Sequence, residues 1–311
     1  MKVIKRIEEN DLAHVFIAEN SEGKQVEFVE SIQPPLTIKD KWVLILSTLF
    51  GCPVNCKFCD AGGQYNGKLS FDELMFQIDY LVCSRFPDRI VDTNKFKIQF
   101  ARMGEPAFNH AVLDALEAIP KIYTYKNFIP SLSTIAPVST DDFFAKLLSL
   151  KKRLYKQSFQ LQFSLHSTDY AQRDNLVPIK KWSFEKISNY GNDFFDEGGR
   201  KITLNFALGK DSILETKTLL KYFDTAIFLI KITPVNPTFK AQKNNITSLI
   251  DSKNKNYSIV DELRNAGYEV ILSIGEFEEN EIGSNCGQYL NTFREENKKL
   301  ENSYSYKLKN V

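Results

Sequence analysis

The sequence predicts an α/β fold: a partial (β/α)6-type barrel with a small β-hairpin extension at its N-terminus. Three observations carry this prediction. From Lys41 onward, short apolar runs alternate with amphipathic stretches six or seven times, the pattern of a parallel sheet covered by helices. Unusual polar residues fall directly after the apolar runs, where the strands of such barrels end and their chemistry sits. Before Lys41 the chain alternates apolar and polar around one turn, the period of a half-buried hairpin.

Length and composition agree. The chain has 311 residues, 43% hydrophobic and 25% charged, the balance of a globular protein with a sizeable core. Lys+Arg 40 against Asp+Glu 39 leaves +1. A chain that grips large RNA mainly by charge usually carries more surplus; local basic clusters stand at Lys151-Lys152-Arg153, Lys180-Lys181 and residues 231–243. The opening MKVIKRIEEN has no apolar core of a secretory signal. No run approaches the roughly 18 apolar residues of a membrane span. Three of five cysteines share one loop, unlike an extracellular disulfide framework. A cytoplasmic protein is expected, with no membrane or DNA partner.

Three segments follow. Residues 1–40 form the extension: residues 13–18 and 25–29 flank a turn at 20–24 that carries Gly23, and Pro34-Pro35 ends it. Residues 41–291 form the barrel. Its strands are expected at 43–48, 97–101, 128–133, 160–164, 203–207 and 226–232. The helices are expected at 71–83, 111–118, 141–150, 184–195 and 213–222. A seventh pair, helix 258–266 and strand 269–274, closes the series. Residues 292–311 form a charged tail, read as a helix that frays.

The first strand runs into FGCPVNCKFCDA, with Cys52, Cys56 and Cys59 in a C-x3-C-x2-C array. Three thiolates on one loop suit three corners of a [4Fe–4S] cube, leaving one iron open. The alternatives are a structural zinc site or buried free thiols. Zinc sites generally use four ligands in two close pairs. No second pair exists, and His14, His110 and His166 are scattered.

With Phe58 before its last cysteine, the array resembles the radical S-adenosylmethionine (SAM) superfamily. A narrower resemblance, to the RlmN/Cfr type of RNA adenine methyltransferases, runs from about Gln25 to Leu290. It rests on VEFV around Glu27, GCPVNCKFC, MGEPAFN, SLST, FSLH, RDNLVPIKK, ITPVNP and CGQ, in that order. The resemblance implies an enzyme with a [4Fe–4S] cluster and SAM as cofactors, and a reductase or flavodoxin-like electron donor. Gly104 and Glu105 would hold the SAM ammonium and backbone, a carboxylate suiting a cationic amine. Ser133, Ser164, Leu165, His166 and Phe58 would line the SAM pocket, and Asn236 would meet ribose or adenine. Cys286 would take a methyl group from one SAM and carry it to an sp2 carbon of adenine. Glu27 matches a carboxylate assigned as proton acceptor.

Each residue also has a plainer reading: a turn carboxylate for Glu105, a core histidine for His166, an Asx turn for Asn236, a solvent-facing strand residue for Glu27, a small buried residue for Cys286. Cys83 reads as core. Two departures stand out. The family resolves its crosslinked intermediate with a second cysteine seven residues before the first cluster cysteine; that position is Ile45. The family also carries a helical RNA-binding domain before its hairpin, where only 51 residues precede Cys52. Together they suggest either a smaller substrate than a large RNA or a nucleic acid delivered by a partner.

Overall fold

Three antiparallel strands open the chain: β1 (Lys2–Ile7), β2 (Ala13–Glu19) and β3 (Gln25–Ser31). The computed structural model describes residues 1–7, 12–32, 35–251, 256–274, 290 and 309–311. Asn20 makes the β2–β3 turn, its side chain accepting the Lys24 N–H at 2.9 Å. β4 (Trp42–Leu46) pairs antiparallel with β3 and starts the barrel. α1 (Phe71–Arg85) begins with a capping box between Ser70 and Glu73, which satisfies two otherwise unpaired amides.

β5 (Ile90–Val91) is short and precedes β6 (Phe96–Phe100), which is followed by a 3-10 turn at Pro106–Phe108. Then come α2 (Ala111–Ile122), β7 (Thr124–Tyr125), β8 (Phe128–Thr134) and α3 (Asp141–Leu150). β9 (Gln160–Ser164) leads to α4 (Tyr170–Leu176) and α5 (Phe184–Phe194). β10 (Ile202–Leu208), α6 (Thr216–Tyr222), β11 (Phe228–Pro234), α7 (Phe239–Lys243), α8 (Ser258–Asn265), β12 (Val270–Leu272) and β13 (Lys309–Asn310) complete the order.

One sheet runs β12-β11-β10-β9-β8-β6-β4-β3-β2-β1-β13. From β4 to β12 every neighbouring pair is parallel. From β4 to β13 through β3 every pair is antiparallel. β5 and β7 pair separately. The fold is therefore the expected α/β arrangement, a parallel sheet with an antiparallel extension. Strand alternation sends one side chain of each pair outward under the helices. Phe96, Ile98, Phe100, Leu132, Phe163, Leu204, Phe206 and Ile230 are all fully buried there. At about 25 cal/mol per Å2 of apolar surface, this outer layer is the main favourable contribution to folding.

The differences from the sequence reading have local causes. The extension is larger than a hairpin, because β1 pairs with β2 as a third strand and buries Val3 and Ile7, a bulge after Val3 shifting the register between them. β11 starts two residues late, because Asp224 makes a turn. Its carboxylate accepts the Ala226 N–H and its carbonyl the Phe228 N–H, both at 2.8 Å. α6 starts late because residue 213 is held in a loop, its carbonyl accepting the Thr168 N–H at 2.9 Å. α4 was unforeseen and rests on its Asp169 cap, which accepts the Gln172 N–H at 2.7 Å. In the tail, Lys309 and Asn310 pair with β1 as a strand. Among the described residues, no helix is long and apolar enough to cross a membrane.

Candidate cofactor site at the carboxyl rim of the barrel

The cysteine loop is built by its neighbours. Gln77, fully buried on α1, donates to the Ser47 carbonyl at 3.0 Å and accepts the Ser47 N–H at 2.9 Å. The Asn109 amide donates to the carbonyls of Thr48 (2.8 Å) and Leu69 (2.7 Å), so one side chain staples both ends of the loop. Within it, the Gly63 N–H reaches the Cys52 carbonyl at 3.1 Å and the Asn66 N–H the Phe50 carbonyl at 2.8 Å. Gly51 turns the chain at φ +72°, and a Cβ there would fall 2.5 Å from the Gln64 carbonyl oxygen. Only glycine meets both demands.

Cys52 is buried, while Cys56 and Cys59 are partly exposed; none of the three is in a disulfide. Burial pushes the Cys52 thiol up to about 11, against backbone N–H groups of Val54, Glu105 and Asn55 that favour the thiolate. Burial raises Cys56 further, with the neighbouring Cys59 and Cys52 adding to it. Among the described residues, no three His, Cys, Asp or Glu side chains converge as the ligands of one ion would. Three thiols on one loop, with N–H donors aimed at the Cys52 sulfur, suit a cluster that would meet each thiolate at a separate iron. Cys83 stands apart on α1, its thiol 3.9 Å from Asp79.

The loop after β11 clasps this loop. The Thr238 hydroxyl donates to the Phe58 carbonyl at 2.9 Å. The Asp60 carboxylate accepts the N–H groups of Phe239 (3.0 Å) and Lys240 (2.9 Å). The Asn244 amide donates to the Lys57 carbonyl at 2.8 Å, and Lys240 reaches Asn55. Phe58 packs with Ala207, Val235 and Ala241. A loop leaving β4 thus touches the ends of β10 and β11, which requires the sheet to curl into a partial barrel.

The other predicted residues lie on the same rim. Gly104 has φ +96°, and a Cβ there would meet the Leu49 side chain at 2.5 Å. The Glu105 carboxylate accepts N–H groups of Ala107 (3.0 Å) and Ile135 (2.9 Å) and the Thr134 hydroxyl. Burial raises it to about 7 in spite of these donors. Ser133 receives a 3.5 Å contact from Gln99. Ser164 pairs in register with Asn205, whose carbonyl accepts the N–H groups of Leu165 (2.9 Å) and His166 (3.2 Å). His166, at φ +63°, accepts the Ala207 N–H on Nδ1 at 3.1 Å. Burial, with some help from the Arg173 charge, holds it near 3, so the imidazole is neutral, and it stands edge-on to Phe58 with centroids 4.8 Å apart. The Asn236 carbonyl accepts the Thr238 N–H at 2.8 Å.

Glu27 is fully buried rather than solvent-facing. One oxygen pairs with Arg102 and the other accepts the Leu290 N–H at 2.8 Å. Burial raises its carboxyl, opposed first by the Arg102 charge. Cys286 lies outside the described residues. Ile45 sits in β4 between Val29 and Gln99. Arg102, Asp60, Thr238 and Asn109 were not singled out in the sequence, because their partners are distant in the chain.

No family model matches the chain. It is similar to curated relatives described as probable dual-specificity RNA methyltransferase RlmN. The Thermotoga petrophila protein is 27% identical over 246 residues, 77% of this chain and 66% of that one. The Desulfitobacterium hafniense (strain Y51) protein is 29% identical over 234 residues, 71% and 62% of the two chains. The Chlorobium phaeobacteroides protein reaches 30% over 185 residues, 58% of this chain and 49% of that one. The chain resembles the RlmN type of the radical SAM superfamily. A radical SAM methyltransferase from Sphaerobacter thermophilus shares the fold, with TM-score 0.69 at 20% identity over 92% of this chain and 80% of that one. This RlmN-like chain thus spans about two thirds or less of the length of those curated relatives.

Proposed function

We propose that the chain is a radical SAM methyltransferase acting on an sp2 carbon, an adenine of RNA or of a smaller molecule. The observation that carries this reading is the cysteine loop itself: three neighbouring thiols, clasped to the rim, beside Glu105 and His166. Cys52, Cys56 and Cys59 would hold three irons of a [4Fe–4S] cube, with SAM on the fourth. When bound, the cube supplies the electron for reductive cleavage of SAM; a reductase or flavodoxin-like protein would deliver it.

The chain's own residues then bind and orient. Glu105, buried and raised to about 7, would be driven to its ionised form by the ammonium of SAM. Ser133, Ser164 and Asn236 offer polar contacts around it. Neutral His166 and Phe58 form an uncharged wall that excludes water. Leu165 contributes backbone, since its side chain is fully buried. The Cys286 thiolate would accept the methyl group. Four residues further along the chain, the Leu290 N–H meets Glu27 at 2.8 Å. A carboxylate engaged by Arg102 and Leu290 supports an anchoring role for Glu27 alongside proton acceptance.

A second reading keeps SAM cleavage and drops methyl transfer. Ile45 favours it, because no thiol stands there to resolve a crosslink. Peptide mass analysis after anaerobic incubation with SAM separates the two. A methyl increment on Cys286 supports the first reading, and an unmodified Cys286 with 5′-deoxyadenosine formed supports the second.

A further inference from the structure

The inner face of the sheet differs from that of a closed eight-stranded barrel, which fills its interior with layers of branched apolar side chains. Here, among apolar inward residues such as Val43, Ile45, Ile129 and Leu229, the inward positions also carry Lys97 and Gln99 on β6, Ser131 on β8, Gln162 on β9, Asn205 on β10 and Lys231 on β11. Their outward neighbours, such as Ile98, Leu132 and Ile230, are buried under the helices. The register fixes this assignment: Gln99 stands beside Ser131, and Asn205 beside Lys231. The Ser131 hydroxyl and the Asn205 side-chain oxygen are buried with no hydrogen-bond partner.

Among the described residues, the charge of this chamber is one-sided. Among the described inward positions of the parallel strands, two are lysines and none is a carboxylate. The rim acids are engaged elsewhere: Glu105 with Thr134 and Ile135, Glu27 with Arg102, Asp60 with α7. No carboxylate among the described residues forms an ion pair with Lys97. The cations of Lys231, Lys41, Arg200 and Lys95 press on it, and burial with these like charges brings its amine down to about 7. Lys41, Lys95 and Arg200 precede β4, β6 and β10, so they ring the amino-terminal mouth. A desolvated cation among like charges is costly and is relieved by a bound anion. Several cations beside hydroxyl and amide groups suit a dianion better than a monoanion.

We propose that the lumen holds a phosphate site centred on Lys97, with Lys231 across the barrel and Gln99 and Ser131 beside it, that takes the phosphate monoester of a small-molecule substrate. The site rests on the reading above in one respect: the reacting carbon of that substrate would lie at the rim. Three residues separate Lys97 from the end of β6, about 10 Å at the rise of a strand, a span that a nucleoside between rim and floor can fill.

The test uses the full chain and needs no turnover, so its failure is separate from failure of the radical SAM reading. Thermal unfolding is followed in potassium phosphate, acetate and chloride at matched ionic strength, for the wild type, Lys97→Met and Lys97→Arg. Phosphate should raise the midpoint of the wild type and of Lys97→Arg above the chloride value, with acetate doing less. Lys97→Met in chloride should melt above the wild type, because the uncompensated charge is gone, and phosphate should add nothing. Equilibrium dialysis then compares adenosine with adenosine 5′-monophosphate, expected to bind the wild type about tenfold tighter or more and Lys97→Met no tighter than adenosine. Equal midpoints in the three salts, or a phosphate shift retained in Lys97→Met, would overturn the site. Phosphate binding without preference for the nucleotide over the nucleoside would overturn its role in holding a substrate.

Discussion

Glu27 and Arg102 form a buried ion pair that joins the N-terminal antiparallel strands to the rim of the barrel. The second oxygen of Glu27 holds the backbone at Leu290. Replacing Arg102 alone leaves a carboxylate in the interior without its cation. Arg102→Met should therefore cost about 3–5 kcal/mol in urea unfolding. The double variant Glu27→Gln/Arg102→Met should recover much of that loss. A single variant no less stable than the double one would show that the pair does not join these parts.

Among the described residues, the cysteines divide three to one. Cys52→Ala, Cys56→Ala and Cys59→Ala should each abolish stable iron loading and the visible absorption of a reconstituted cluster. Cys83→Ala should load like the wild type, since its thiol sits on α1 against Asp79. Iron analysis and absorption spectra check this. Full loading of any of the first three would remove that residue from the ligand set.

The clasp between the cysteine loop and the segment after β11 should set how long a cluster is kept. Asp60→Ala leaves the Phe239 and Lys240 N–H groups without their acceptor, and Thr238→Val leaves the Phe58 carbonyl without its donor. Each buried group left unpaired costs roughly 1–3 kcal/mol. Both variants should lose iron to a chelator faster than the wild type, Asp60→Ala more so. Unchanged rates would mean the loop holds its shape alone.

Much of this was legible in the sequence, for physical reasons. The apolar run WVLIL and the alternating FKIQF carry strand patterns, and the cysteine spacing and strand-end motifs mark the rim without any long-range contact. What was not legible depends on partners far along the chain. Arg102 reads as an ordinary charge until Glu27 is seen beside it. Asp60 reads as a loop carboxylate until the N–H groups of Phe239 and Lys240 are found on it. The shift of β11 hides in Asp224, whose side chain and carbonyl make a turn that apolar periodicity does not register.

Glu105 gives the cofactor-free protein a pH signature. Its carboxyl is raised from 4.5 to about 7, chiefly by burial. Between these values the folded state keeps a proton that the unfolded state has lost. Stability from this group therefore falls as pH rises from about 4.5 to about 7, then levels. The unfolding free energy of the wild type relative to Glu105→Gln should decline over that window by on the order of 3 kcal/mol. SAM should flatten the slope, because its ammonium favours the ionised carboxylate. Parallel pH profiles for the two proteins would contradict the burial of a titrating Glu105.

The most direct test of the account is anaerobic incubation of the cluster-loaded chain with SAM and a strong reductant, scoring 5′-deoxyadenosine. The account predicts its formation by the wild type and by Cys83→Ala, and none by Cys56→Ala. A wild-type protein with a full complement of iron that forms no 5′-deoxyadenosine would contradict it.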